Sequence, residues 1–199
     1  MKLYDVARSG NCHKVRMLLA QLGLPYESVA VDLPGGESKL PAFLKLNPRG
    51  QVPVLEDTGE IIWDSQAILV YLARKQSDEH WLPTTPLAMA RVMQWLAVSE
   101  NEILYGLARA RAALLFKAPW NVAECQALGT QALTLLEGHL TQHEWLAASH
   151  PTIADIACYP YVALAPQANL SLDAYLAVVA WIRRIQAWPN YAGMPGMFE

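Results

Sequence analysis

NPRGQVPVLED, residues 47–57, decides the reading of this chain. A proline between two β-forming residues, at the start of an expected strand, has no N–H to give to a ladder. One solution is a cis Val52–Pro53 bond, which turns the Val52 backbone N–H and C=O away from the sheet. Those groups then pair with an extended, peptide-like ligand as if it were another strand. The other solution is a trans proline on an edge strand, and the segment alone accommodates either. Downstream, residues 60–63 read as a second strand joined across Asp57-Thr58-Gly59, and Asp64 or Ser65 can cap a helix through Ile68, Leu69 and Leu72. Upstream, residues 40–46 form a short helix that Asn47-Pro48 breaks, and residues 26–31 read as a strand. Val15, Leu18, Leu19 and Leu22 recur at helical spacing from Cys12 onward, Gly23 stops that helix, and residues 2–6 alternate as a first strand. The order is βαβ followed by αββα.

Residues 76–86 contain two prolines and little periodicity, which divides a unit over 1–76 from one over 87–199, with a linker at about 77–86. The second unit reads as helices alone, over 87–117, 122–140, 152–164 and 175–188, the first interrupted by Pro119-Trp120-Asn121. With 53% apolar and 17% charged residues the chain has ample material for a core and is not disordered. Its net charge of −3 lacks the clustered Lys and Arg of a nucleic-acid binder. Cys12, Cys125 and Cys158 are odd in number and widely separated, which points to a reducing, cytoplasmic setting. No stretch approaches the ~20 apolar residues that span a bilayer.

Two further segments carry chemistry. At Trp63-Asp64-Ser65-Gln66 a helix begins, offering free N–H groups and the Ser65 hydroxyl to a carboxylate while Asp64 holds an ammonium. An amino-acid head group suits that pair, although helix caps of this composition are common without any ligand. At Arg8-Ser9-Gly10-Asn11-Cys12-His13-Lys14 the start of the first helix favours a thiolate, and Ser9 is placed to donate to sulfur. Ser9 and Asn11 are equally ordinary capping residues. Cys12 reads as a small side chain packed on the sheet, Cys125 and Cys158 as core, and His13 as solvent-facing. Thr152 with Asp155 reads as a capping box of purely structural role. Trp95, Trp120, Trp181 and Trp188 fall on helical stripes as packing.

In this order and spacing, the three segments resemble the glutathione S-transferase family, in particular bacterial theta-, nu- or beta-like cytosolic members. The resemblance takes in NPRGQVPVLED, DSQAILVYLA, PLAMARVMQWL and SHPTIADI, and so covers essentially the whole chain. It implies an α/β thioredoxin-like domain (βαβαββα, mixed sheet) followed by an all-α domain. It also implies glutathione as co-substrate, no metal, and a homodimer with neither nucleic-acid nor membrane partners. By the same resemblance Val52, before Pro53, pairs with the cysteinyl part of glutathione, and Asp64 and Ser65 hold the γ-glutamyl end. Gln51, Lys39 and Arg49 are candidates for the glycyl end, and Ser9 and Asn11 for the contacts to sulfur, while Tyr4 lies within the first strand as core. The second substrate is expected along residues 99–116, where Tyr105, Arg109 and Arg111 stand out, the two arginines reading otherwise as a solvated face and Tyr105 as core. The implied activity is conjugation of small electrophiles, in detoxification. Glutathione-dependent reduction of disulfides or peroxides, and a non-catalytic binding protein on the same scaffold, are the alternatives.

Overall fold

In a computed structural model that describes residues 1–77 and 79–198, four short strands form a mixed sheet in the order β2-β1-β3-β4. Position 78 of the expected linker and position 199 lie outside the described residues. β1 (Lys2–Asp5) runs parallel to β2 (Glu27–Ala30) and antiparallel to β3 (Val54–Asp57), which returns as β4 (Glu60–Trp63). Thr58 and Gly59 both take positive φ, 51° and 88°, the backbone of a tight hairpin whose twist matches its strands. α1 (Gly10–Gln21) crosses between β1 and β2 and stops where Gly23 adopts φ 63°. α2 (Pro41–Leu46) begins with its proline in the first turn, where a missing N–H costs nothing. α3 (Ser65–Lys75) follows β4 and packs on α1. β3 begins two residues later than residue 52, because the ladder with β1 starts only at the Tyr4–Val54 pair.

The second half is helical, as expected. α4 (Pro86–Val98) continues without a break through a π-helical segment, Ser99–Ala108, into α5 (Arg109–Phe116). The run expected over 87–117 is therefore one helical rod with a change of register inside it. Lys117 ends it at φ 55°, and Asn121 caps α6 (Val122–Leu140) by accepting from the N–H groups of Ala123 and Glu124. Gly106 of the π segment meets Gly129 of α6 so closely that a Cβ at Gly106 would lie 2.4 Å from the Gly129 nitrogen. α7 (Ile153–Ala163) is buried along its whole length and starts at the Thr152–Asp155 capping box. Asp155 also accepts from the Leu146 N–H and the Trp181 indole, and so ties in α8 (Leu176–Gln186). One apolar core runs from Leu3, Leu18 and Leu69 on the sheet side to Leu107, Ile156 and Trp181 among the helices. The two halves thus meet along α1 and α7 on a shared core, which fixes the seam where the site lies. Among the described residues no helix is long and apolar enough to cross a membrane.

Candidate active site

Segments far apart in sequence converge on a cavity of about 240 Å³ at this seam. The first is the loop into α1. Ser9 is the N-cap, and its Oγ accepts the Cys12 N–H at 3.3 Å. The oxygen is committed to the helix while the O–H proton remains a donor for something in the cavity. Asn11 adds its amide to the wall, and its Oδ1 is buried with no hydrogen-bond partner among the described residues. Both stand at a helix start, where aligned peptide dipoles amount to roughly half a positive charge. The Cys12 thiol beside them is fully buried, and burial pushes its pKa up to about 12, so it packs, as expected, and supplies no thiolate.

The second segment is the loop before β3. Asn47 braces it, donating from Nδ2 to the Gln51 carbonyl at 2.7 Å and accepting the Arg49 N–H on Oδ1 at 2.9 Å. Gly50 takes φ 59° and a Cβ there would lie 2.6 Å from the Ser38 carbonyl oxygen, so only glycine fits. The Lys39 ammonium donates to the Arg49 and Gly50 carbonyls. It therefore stands behind the wall that Arg49, Gly50 and Gln51 form rather than among the residues lining the cavity. The Val52–Pro53 bond is cis, and both residues line the cavity beyond the end of the ladder.

Asp64 and Ser65 form the third side. Asp64 sits at φ 79°, a left-handed backbone unfavourable for aspartate and held by its surroundings. Its Oδ1 accepts the Gln66 N–H at 2.9 Å, and its Oδ2 pairs with Arg49 Nη1 at 3.1 Å. Ser65, buried at the first position of α3, presents a second helix start to the same space.

A fourth element was not anticipated. Glu100, on the π segment, reaches the cavity beside Asp64. Behind it lies Lys14, wholly buried, whose ammonium donates to Ser99 Oγ at 3.1 Å and stands 3.5 Å from Glu100 Oε1. Gln66 Nε2 donates to both Ser99 Oγ and Glu100 Oε1, and Ser99 donates to the Ala157 carbonyl. Burial lowers the Lys14 pKa, and the Glu100 carboxylate opposes that shift. α1, α3, the π segment and α7 are thereby joined by one polar cluster, which aims an acidic side chain into the cavity from the helical half. A signal existed in the sequence: Lys14 lies four residues before Leu18 and one before Val15, on the apolar side of α1, where a charge demands a buried partner.

Other expectations need correction. His13 is buried, not solvent-facing; burial and the nearby Arg16 depress its pKa to about 3, so it stays neutral. Arg111 is also buried rather than on a solvated face. Tyr105 is exposed rather than core, and the Arg109 guanidinium lies between the Tyr105 and Trp120 rings, 3.9 and 4.0 Å from their centroids. Trp120 is accordingly exposed and engaged with Arg109 rather than packed in a core stripe. None of Tyr105, Arg109 and Arg111 lines the cavity. Tyr4 is half-buried against Phe43 and donates to Glu56, away from the Ser9 loop. Among the described residues no group of three His, Cys, Asp or Glu side chains is placed to hold a metal ion.

Comparison with known proteins gives the same picture over the whole chain. The family model for the glutathione S-transferase N-terminal domain matches residues 8–75, and that for the C-terminal domain matches residues 121–189. A maleylacetoacetate isomerase of Pseudomonas aeruginosa is 34% identical, over 88% of this chain and 86% of its own. A probable glutathione S-transferase of Oryza sativa is 33% identical over 96% and 93%. Among solved structures, a glutathione S-transferase from Pseudomonas fluorescens superposes with a TM-score of 0.92 at 36% identity, covering 98% of both chains. A glutathione transferase homologue from Drosophila mojavensis with bound glutathione superposes at 0.86 with 28% identity, covering 96% of this chain and 89% of that one.

Proposed function

The chain belongs to the glutathione S-transferase family, and from that premise we propose that it binds glutathione in the seam cavity and transfers its thiolate to a small electrophile. The observation that carries this reading is the convergence of Ser9, Val52 and Asp64–Ser65 on one cavity that two helix N-termini face. A γ-glutamyl head group carries an ammonium and a carboxylate. Asp64 and Glu100 suit the first, and the Ser65 hydroxyl and the start of α3 suit the second. The Val52 peptide, beyond the ladder, suits main-chain pairing with the cysteinyl residue. Gln51 and Arg49 suit the glycyl carboxylate, with Lys39 holding the loop that carries them. The sulfur then lies at the start of α1, where the dipole and the Ser9 hydroxyl both favour S⁻ over S–H. That is the whole of the catalytic device in this reading: no general base is required, because the thiol proton passes to solvent on ionisation. The ionised sulfur is held within reach of the electrophile.

Assignment to a reducing cytoplasm rests on three free, buried cysteines. A homodimer is proposed with exposed Trp63 on β4 and Leu87 and Met93 on α4 at its interface. A second reading, isomerisation, is favoured by the 34% identity to the protein named maleylacetoacetate isomerase. The test is a titration of thiolate absorbance in the glutathione complex, followed by mass analysis of products from activated electrophiles. A depressed thiol pKa with a product that contains one glutathione, less any leaving group, supports transfer, and a product of unchanged mass supports isomerisation. Glutathione bound with an unshifted thiol and no turnover would leave a binding protein.

A further inference from the structure

We infer that the electrophile carries a carboxylate, and that Arg111 and Arg8 hold it beside the Ser9 loop. The inference rests on the transfer reading and names its substrate class. Arg111, on α5, is only 4% exposed. Its Nε donates to Gln167 Oε1 at 2.6 Å, while its Nη2 is buried and has no hydrogen-bond partner among the described residues. The groups that face it are the Tyr161 phenol of α7, the Phe116 ring 5.4 Å away and the guanidinium of Arg8. Arg8 lies over the same Phe116 ring at 5.0 Å. Two cations are thus gathered around one aromatic ring. Among the described residues, no carboxylate lies within ion-pairing distance of either.

This departs from the arrangement usual in protein interiors. Buried charges are paired, because an uncompensated one costs several kcal/mol. Lys14, the other deeply buried cation, has Glu100 and Ser99. Arg111 has instead a neutral amide and a second cation nearby, a local excess of positive charge that an anion from outside would relieve. The place is consistent with a substrate. Arg8 is the residue before Ser9, and Tyr161 packs under Gly10, where an added Cβ would lie 2.7 Å from its ring. The carboxylates of glutathione itself are provided for on the opposite wall, at Ser65 and at Arg49 with Gln51. What remains for the arginines is a carboxylate on the partner, with the exposed Phe116 ring offering an apolar surface to its body. A planar guanidinium fork matches a carboxylate in shape as well as charge.

The probes are a chloronitrobenzoate and its methyl ester, which share ring and leaving group and differ in charge. In both, the glutathione sulfur forms a C–S bond at the ring carbon bearing chlorine. The C–Cl bond breaks and chloride leaves with the electron pair, the thiol proton having gone to solvent. Each enzymatic kcat/KM is divided by the uncatalysed rate with glutathione at the same pH. The wild type is expected to prefer the acid by about tenfold or more, and Arg111→Met to lower the acid-to-ester ratio by about 30-fold, through KM rather than kcat. Arg111→Lys restores part of the ratio, and Arg8→Gln, at an exposed position, lowers it by roughly three- to tenfold. A wild type indifferent to charge, or an unchanged ratio in Arg8→Gln, overturns the proposal even if Arg111→Met fails to fold. If the glutathione complex shows a thiolate but neither probe is turned over, the transfer reading fails separately. Benzoate binding to the wild-type and Arg8→Gln complexes then decides the anion site, and equal or absent binding overturns it.

Discussion

Replacing Ser9 with alanine separates the two tasks assigned to one oxygen. The first is structural: Oγ accepts the Cys12 N–H at 3.3 Å, a long capping bond, so its loss costs about 1 kcal/mol of stability. The second is chemical. A hydroxyl donating to a thiolate is a hydrogen bond to a charged group, worth about 1.5–3 kcal/mol, and each 1.36 kcal/mol is about one pKa unit. The thiol pKa of bound glutathione should therefore rise by about 1–2 units, while the α1 dipole and Asn11 remain to hold part of the original depression. The sign has a kinetic consequence. Below the wild-type pKa the thiolate fraction falls about 10- to 100-fold, whereas at alkaline pH both proteins are fully ionised and the loss closes. Ultraviolet absorbance of the thiolate, titrated in the binary complex alongside the pH profile of kcat/KM, reads this directly. Ser9→Thr, which retains a hydroxyl and a cap, should sit close to the wild type. A Ser9→Ala titration within about 0.3 unit of the wild type, in a protein less stable by the capping amount, would falsify the chemical role and leave Ser9 a cap.

Glu100→Gln removes the charge that the Lys14 cluster aims into the cavity, and should raise the glutathione KM by about tenfold while leaving the thiol pKa of the saturated complex within about half a unit. Steady-state kinetics with glutathione as the varied substrate measures it, and an unchanged KM removes Glu100 from the head-group site. Gly106→Ala drives a methyl group into the Gly129 backbone, where no flexible side chain can yield, and should cost about 2–4 kcal/mol in urea denaturation. A loss below about 0.5 kcal/mol means the two helices can part freely. Burial raises the Asp155 carboxyl to about 6 despite its backbone and indole donors, so the folded chain holds that proton more tightly than the unfolded chain. Its contribution is full below the unfolded value near 4 and is lost as pH rises toward about 6, so urea midpoints should fall across that window and flatten in Asp155→Asn. Midpoints that climb through it contradict the assignment.

The parts of this molecule that a linear sequence announces are those built from local backbone chemistry. Gly23, Gly59, Asn121 and the Thr152–Asp155 pair mark chain reversals and helix ends by residue type alone, and all of them stand where their chemistry places them. Most of the candidate site was legible for the same reason: Ser9, Val52–Pro53 and Asp64–Ser65, which line one cavity, stand at helix starts and beyond a strand end, each specified within a few residues. His13 and Arg111 were not legible, and they share a cause. An amphipathic reading grants a helix one buried stripe, but α1 packs on both α3 and α7, and α5 on both α6 and the turn after α7. Polar residues on the nominal solvent side are then covered by segments distant in sequence, as Arg111 is by Gln167, 56 residues away. The π segment hid for a related reason, since Ile103, Leu104, Leu107 and Ala108 suit an α or a π register equally. Tertiary covering therefore decides which charges this chain buries. A charge so buried must find a counter-charge on the element that covers it or in what binds there. Lys14 finds Glu100, which turns the helical half toward the seam cavity, and Arg111 finds none among the described residues, which is the observation the proposed anion site rests on.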